Sequence, residues 1–106
     1  MSITGKGKLV RDNIPEVIED DGKTPVTRVL SDIEYRDSLD EKLKEEVGEY
    51  FESKTSEELG DIIDVVHAIS ECDGVSVSEL EEIRKKKLGE KGGFVRKIFL
   101  KEAREK

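Results

Sequence analysis

Apolar residues recur every three or four positions over most of the chain, which is the spacing that lines one face of an α-helix. The pattern predicts three long helices. They follow Ser31, Thr55 and Ser76, and they end near Phe51, Glu71 and Leu88, with Gly89 able to terminate the last one. Ahead of them, Pro15 suits the first turn of a short helix over about 15–20.

Each predicted long helix begins with a hydroxyl residue that is followed three residues later by glutamate. The three pairs are Ser31 with Glu34, Thr55 with Glu58, and Ser76 with Glu79. In such a capping box the hydroxyl accepts a hydrogen bond from the N–H of the third helical residue, and the glutamate accepts one from the N–H of the capping residue. The signal predicts three helix starts, and it offers Glu58 an ordinary role at the end of its own helix.

β-Branched residues predict a strand over about 25–30, after a turn at Asp20-Asp21-Gly22. The apolar closing segment, about 94–100, predicts a second strand that could pair with the first. No repeat or linker divides the chain. The expected fold is therefore all-α with a minor β element, in a single domain that spans residues 1–106.

Charged residues make up 42% of the 106 residues and hydrophobic residues only 34%, so we expect a thin core. A chain of this size often gains stability from a partner subunit or from a metal. The net charge of −7 argues against a general nucleic-acid-binding protein, because no basic face balances it globally. A polyanionic small ligand stays compatible with this charge, provided that a cation mediates the contact.

The single cysteine, Cys72, cannot form an internal disulfide, which points to a reducing compartment. No apolar run approaches the ~18 residues of a membrane span. The N-terminus also lacks the apolar core of a signal peptide. We therefore expect a cytoplasmic protein with no membrane partner.

Two acidic residues fall inside apolar helix faces, where carboxylates are unusual. Glu46 projects into the apolar arc of the first long helix, and Glu58 projects into that of the second. Glu49 and Asp61 lie at the edges of the same two arcs. Because residues three apart share a helix face, each helix offers a pair of carboxylates that can converge on one point.

The two acidic pairs are separated by a short connection, with eight residues between Glu49 and Glu58. That length allows an antiparallel hairpin, which would bring the pairs together. Four clustered carboxylates would repel one another and would cost several kcal/mol each if they were buried without partners. A divalent cation resolves this conflict, and ligands that are all oxygen favour Mg²⁺ or Mn²⁺ over zinc.

An ordinary structural interpretation stands beside the metal site. Glu58 can simply cap its own helix, and Glu46 can pair with Lys42 four residues earlier. Gly48 favours the metal site slightly. A glycine inside a helix costs ~1 kcal/mol relative to alanine, so its presence indicates that something needs the space beside Glu49.

The acidic pattern Glu46-x-x-Glu49 followed by Glu58-x-x-Asp61 resembles the signature of the MazG-type all-α nucleotide pyrophosphohydrolases. Two further blocks resemble one branch of that superfamily, the small predicted house-cleaning pyrophosphatases. These blocks are Lys8-Leu-Val-Arg-Asp-Asn-Ile-Pro-Glu and Lys91-Gly-Gly-Phe. The resemblance covers nearly the whole chain, from Lys8 to Leu100, and the three blocks together are more specific than the acidic motif alone.

The resemblance implies Mg²⁺-dependent cleavage of a nucleoside triphosphate between its α and β phosphates, which gives a monophosphate and pyrophosphate. It implies that the four acidic motif residues are catalytic metal ligands, namely Glu46, Glu49, Glu58 and Asp61. Asp64 stands where relatives often have Glu, and Asn13 stands where a lysine is expected. The oligomers usual in the family imply a homodimer or higher homo-oligomer in which two or more chains complete each site.

Basic residues in the two flanking blocks are the candidate phosphate contacts, namely Arg11, Lys8, Lys91 and Arg96. Each of them can also be a solvated side chain or part of a surface ion pair. Gly92-Gly93 can let backbone amides approach a phosphate, or it can form a plain turn. We expect His67 to be structural and Cys72 to be a small residue of the core or of a helix end.

Together, the residues and the resemblance predict an Mg²⁺-dependent nucleoside triphosphate pyrophosphohydrolase that acts in nucleotide-pool house-cleaning. Phosphoribosyl-ATP pyrophosphatase is the alternative within the enzyme class, because related all-α enzymes act on that substrate. A non-catalytic helical interaction module that keeps the fold is the alternative from a different class. The acidic pairs argue against such a module, because they are costly to keep without a metal.

Overall fold

The computed structural model describes residues 7–106, and within that range it contains four α-helices. Their bounds are Ile14–Asp20 for α1, Asp32–Ser53 for α2, Ser56–Cys72 for α3 and Val77–Lys91 for α4. Pro15 lies in the first turn of α1, where its missing N–H would have had no helical partner in any case. The predicted short helix and the three predicted long helices are therefore all present.

The centre of the molecule is a hairpin of α2 and α3. Lys54 ends α2 in a left-handed conformation with φ 57°, and its N–H donates to the Tyr50 carbonyl at 2.7 Å. Only Lys54 and Thr55 separate the two helices, so the helices must run antiparallel. The buried apolar side chains of the described residues are Leu39 on α2 and Val65 on α3, which are 3% and 8% exposed. The core is as thin as the composition predicted.

Helix α4 extends one turn beyond its predicted end at Leu88. Gly89 lies inside the helix, and the chain leaves it at Gly92, which has φ 80° and donates its N–H to the Leu88 carbonyl at 2.9 Å. The prediction that Gly89 terminates the helix was wrong. A glycine in an exposed helix costs only ~1 kcal/mol and need not end it, whereas the positive φ of Gly92 suits glycine and does end it.

The predicted minor β element is absent from residues 7–106, so the prediction of strands at 25–30 and 94–100 was wrong. Val29 in the first segment is 96% exposed and Phe94 in the second is 97% exposed. β-Branched and aromatic residues favour strands only when they pack on a pleated surface, and an isolated pair of strands is marginally stable. Neither segment has such a surface here, and the described part of the chain is all-α.

Much apolar surface is left uncovered. The chain of 12.0 kDa exposes 9716 Å², whereas a folded monomer of this mass exposes about 6000 Å². The exposed side chains include large residues on all three long helices, among them Phe51, Ile63 and Ile83. None of the helices described between residues 7 and 106 combines the length and the apolar composition needed to cross a membrane.

Candidate metal centre

The start of α3 departs from the other two long helices in one respect. At α2, Ser31 and Glu34 form a closed capping box, in which the Ser31 N–H donates to Glu34 Oε1 at 3.1 Å. At α3, the Thr55 hydroxyl accepts from the Glu58 N–H at 3.3 Å, but the Thr55 N–H donates to the Ser53 hydroxyl at 3.4 Å. The carboxylate of Glu58 is therefore not used in capping its own helix.

The Glu58 carboxylate lies close to two others. Glu46 on α2 and Glu58 and Asp61 on α3 each offer one carboxylate oxygen, and the three oxygens lie within 4.8 Å of one another. Glu58 and Asp61 are three residues apart and share a face of α3, and the hairpin brings that face to α2. The structure thus gathers three of the four predicted ligands, and we call them the carboxylate cluster.

The fourth predicted ligand, Glu49, belongs to a neighbouring group. It lies with Glu45 and Glu46 so that one oxygen of each is within 4.8 Å of the others. Glu46 is the member common to both groups. The sequence did not predict Glu45 as a member of such a group. In the structure it is half-buried and accepts from Lys42 at 2.6 Å.

Two carboxylate oxygens of the cluster are buried without a hydrogen-bond donor in the described part of the chain. Glu46 is 6% exposed, and while its Oε1 lies 3.3 Å from Lys42 Nζ, its Oε2 has no partner. Oε2 of Glu58 is likewise buried and unpartnered. A buried charge without a partner is costly. The Lys42 pairing predicted as the ordinary role of Glu46 exists, but it satisfies only one of the two oxygens.

Burial raises the pKa of Glu58 to about 7, and the adjacent Glu46 carboxyl and the charge of Glu49 add to the increase. The chain therefore carries a carboxylate that is poorly stabilised by its own side chains. A divalent cation placed among these oxygens would supply the missing positive charge. The donor set is entirely oxygen, which fits Mg²⁺ or Mn²⁺.

Arg11 reaches the edge of the carboxylate cluster from the segment before α1. Its Nη2 donates to Asp61 Oδ1 at 2.7 Å and its Nη1 to Asp64 Oδ2 at 2.9 Å. Asp64 is exposed and forms this ion pair. In the same segment, Lys8 Nζ donates to Glu45 Oε1 at 3.0 Å. Two of the four candidate phosphate contacts, Arg11 and Lys8, therefore lie near the cluster, and each is paired with a carboxylate.

The other two candidate phosphate contacts lie elsewhere. Lys91 is the last residue of α4 and Arg96 follows it in the closing segment, and neither forms an ion pair with the carboxylate cluster. Gly92 ends α4, which accounts for its positive φ. Cys72 is exposed and ends α3, as a helix-end residue, and His67 is half-buried on the same helix.

Gly48 is not needed to make room for a neighbouring group within the described chain. A Cβ added there would meet no atom within 4 Å. The interpretation that this glycine makes space for a neighbour is therefore not supported within the chain itself. Alanine would fit at this position.

A groove of about 520 Å³ opens beside the carboxylate cluster. It lies between the segment 9–14, α1 and the α2/α3 hairpin, and Glu46 and Asp61 are part of its wall. The rest of the wall is largely apolar and includes Leu39 and Val65. The cluster is therefore adjacent to a concave surface of the size that small-molecule ligands occupy.

An uncharacterized protein of Mycolicibacterium smegmatis is 62% identical to the chain over 42 residues. Those residues make up 40% of this chain and 43% of that protein, so the chain matches less than half of the relative's length. No family model and no solved structure matches the chain. The match identifies a relative for part of the chain and assigns no activity to it.

Proposed function

We propose that the protein is an Mg²⁺-dependent nucleoside triphosphate pyrophosphohydrolase of the MazG-like type, which converts a nucleoside triphosphate to a monophosphate and pyrophosphate. One observation carries the proposal. Glu58 does not close a capping box at the start of α3, its carboxylate converges with those of Glu46 and Asp61, and two of the cluster's oxygens are buried without a donor among residues 7–106. A helical module with no ligand would gain stability by losing this arrangement.

The four proposed metal ligands are Glu46, Glu49, Glu58 and Asp61, with Glu45 as a further carboxylate beside them. A bound Mg²⁺ would neutralise charge on the phosphates and orient them for attack by water. Mn²⁺ is the second cation that this donor set accommodates.

Basic residues of the chain are placed to assist at the same site. Lys42, half-buried, lies between Glu45 and Glu46 and holds both carboxylates in position. Arg11 and Lys8 project from the segment before α1 and are both exposed. An exposed guanidinium that is paired with carboxylates can exchange one of them for a phosphate oxygen at small cost, because surface ion pairs are weak.

The uncovered apolar surface supports a homodimer or higher homo-oligomer. Exposed residues on α3 and α4 such as Ile63, Val66 and Ile83 would gain from burial. A second copy of the chain would also supply the core that Leu39 and Val65 alone do not provide. The exposed free thiol of Cys72 is compatible with a reducing, cytoplasmic location and a role in nucleotide-pool house-cleaning.

A panel of nucleoside triphosphates tested with Mg²⁺, scored separately for pyrophosphate and orthophosphate, tests the proposal. We expect pyrophosphate with at least one substrate, and loss of that activity in Glu46→Gln and in Asp61→Asn. Glu41→Gln is the matched control, because Glu41 is an exposed residue of α2 outside the cluster. Release of orthophosphate alone would contradict cleavage between the α and β phosphates.

The same panel separates the alternatives. Turnover of phosphoribosyl-ATP, together with inactivity toward every nucleoside triphosphate, would replace the proposed substrate. Inactivity toward all substrates, combined with no binding of Mg²⁺ or Mn²⁺, would favour a non-catalytic module.

A further inference from the structure

The net charge of −7 arises in two regions of the chain that carry opposite signs. Residues 1–31 and residues 73–91 each hold five acidic and five basic residues, so neither region contributes to it. The α2/α3 hairpin, residues 32–72, holds fourteen acidic residues and four basic ones. Segment 92–106, which follows α4, holds five basic residues and two acidic ones. The molecule therefore combines a strongly acidic hairpin with a basic segment.

The basic segment 92–106 is not covered by the rest of the described chain. All residues from 82 to 106 are exposed, so the second half of α4 is uncovered as well. The segment includes the large apolar side chains of Phe94 and Phe99, both of which are exposed. Among the described residues, the ion pair that the segment forms is internal to it. Large apolar side chains exposed together mark a surface that a partner covers.

The hairpin offers a surface of the opposite charge at the end where α2 passes into α3. Phe51 and Leu59 are exposed there, and Glu52 and Glu57 are exposed on the same two helices beside the link. Lys54 Nζ lies 4.9 Å from the centroid of the Phe51 ring, so this ring already contacts a cation. We call these four apolar and acidic residues the hairpin end. It combines apolar area with negative charge, which complements segment 92–106.

We propose that segment 92–106 of one copy docks on the hairpin end of a second copy. Phe94 and Phe99 would then be covered by the apolar side chains of the hairpin end. Arg96 and Lys97 would pair with its exposed glutamates, which fixes the register and speeds the encounter. The inference rests on the self-association contained in the proposed function and does not depend on the catalytic activity.

A second copy is the partner that the structure favours. It carries both complementary surfaces, so two chains can exchange their segments about a twofold axis and form the same contact twice. The chain exposes 9716 Å², which exceeds the area of a compact monomer by more than the ~800 Å² that each partner of a standard interface buries.

Two other partners fit less well. The chain is 65 Å long and has a radius of gyration of 18.7 Å, against ~13 Å for a compact domain of 100 residues. Segment 92–106 therefore does not fold back on its own hairpin. An anionic membrane would attract the segment but would repel the acidic hairpin.

An exchange of charge between the two surfaces tests the proposal. Arg96→Glu with Lys97→Glu makes the segment acidic, and Glu52→Lys with Glu57→Lys makes the hairpin end basic. We expect each double variant alone to self-associate about 10-fold or more weakly than the wild type in sedimentation equilibrium. An equimolar mixture of the two should associate as the wild type does, because every docking contact then joins opposite charges. Rescue by mixing requires contact between chains.

Matched controls separate this contact from general repulsion between acidic chains. Lys86→Glu with Lys87→Glu makes the same change of charge on the exposed end of α4 and should keep the wild-type association. Phe99→Ala should weaken association about 10-fold, whereas Val29→Ala before α2 should not. These two side chains are 86% and 96% exposed, so neither substitution disturbs the folding of a single chain. Equal losses in the control and in the Arg96→Glu variant would overturn the proposal.

The outcomes separate this inference from the proposed function. Association that survives every change in segment 92–106 would overturn the inference and leave self-association to another surface. A wild type that stays monomeric would overturn both the inference and the proposed oligomer. If that monomer binds vesicles of phosphatidylcholine and phosphatidylserine through the segment, its partner is an anionic membrane instead. Association with rescue by mixing, in a protein that releases no pyrophosphate, would support the inference while the proposed catalytic activity fails.

Discussion

The starts of α2 and α3 carry the same sequence signal, yet their glutamates lie in opposite surroundings. Glu34 closes the capping box of α2 and also accepts two hydrogen bonds from Arg28, at 3.1 and 2.7 Å. Its pKa is lowered to about 2, mainly by Arg28 and then by the Ser31 N–H. Glu58 forms no such box, and burial beside other carboxylates raises its pKa to about 7.

The cause of the difference lies in what precedes and faces each helix. Before α2, an extended segment brings Arg28 to Glu34. Before α3, the link is so short that the Thr55 N–H donates to the hydroxyl of Ser53, the last residue of α2. This N–H is the one that Glu58 would accept from in a capping box. One glutamate is therefore stabilised by its surroundings, and the other is available to bind a ligand. Capping signals define where helices begin. The residues around each helix start decide whether the glutamate at the third helical position caps the helix or lies among other carboxylates.

The largest expected effect is on cation binding. Mg²⁺ or Mn²⁺ should raise the melting temperature of the wild type, by an amount equivalent to about 2.7 kcal/mol when the free cation is 100 times its Kd. Glu58→Gln should lower cation affinity by about 100-fold or more, since losing even an outer partner of a metal ligand costs about 10–100-fold. Glu34→Gln occupies the same helical position and should keep the full response. Thermal unfolding across a cation titration measures both.

An equal response of the Glu34→Gln and Glu58→Gln variants to Mg²⁺ would contradict the assignment of Glu58 as a ligand. Glu41→Gln serves as a further control for the loss of one negative charge on α2.

A smaller effect is expected on the stability of the metal-free protein, and its sign should differ between the two helix starts. Glu34→Gln removes the negative charge that pairs with Arg28 but keeps an amide oxygen that can accept from the Ser31 N–H, so the melting temperature in EDTA should fall slightly. Glu58→Gln removes an unpartnered buried carboxylate, so the melting temperature should rise. Ser31→Ala, expected to cost about 1 kcal/mol as a lost N-cap, gives the scale. Destabilisation by Glu58→Gln in EDTA would show that Glu58 stabilises the fold itself.

The smallest effect concerns acid pH, because Glu34 and Arg28 are both largely exposed. The folded-state pKa of Glu34, about 2, lies below its ordinary value of 4.5. Its contribution to stability is therefore complete above pH 4.5 and is lost as the pH falls from 4.5 toward 2. The difference in melting temperature between the wild type and Glu34→Gln should shrink over that window. A difference that stays constant down to pH 2 would exclude this carboxylate as its source.

Prediction from the sequence succeeded where local chemistry decides and failed where packing does. Helix periodicity and capping signals identified all three long helices, and the i, i+3 spacing identified Glu46, Glu58 and Asp61 as carboxylates that can converge. The same reasoning wrongly predicted strands at 25–30 and 94–100. β-Branched residues produce the strand pattern in a sequence whether or not the folded chain offers a surface on which a strand can pack. The same reasoning also ended α4 at Gly89 instead of Gly92, since glycine propensity alone does not locate a helix end.

The sequence by itself determined the three long helices, the thin core and the positions of acidic residues on apolar faces, because these depend on composition and on spacing along a single chain. Only the tertiary structure decided how those acidic residues are used. In the folded chain Glu58 does not cap its own helix, an oxygen of Glu46 is buried without a donor among residues 7–106, and Arg11 pairs with Asp61, fifty positions away in the sequence. Such outcomes depend on which donors reach each oxygen once the helices pack, and spacing does not encode that.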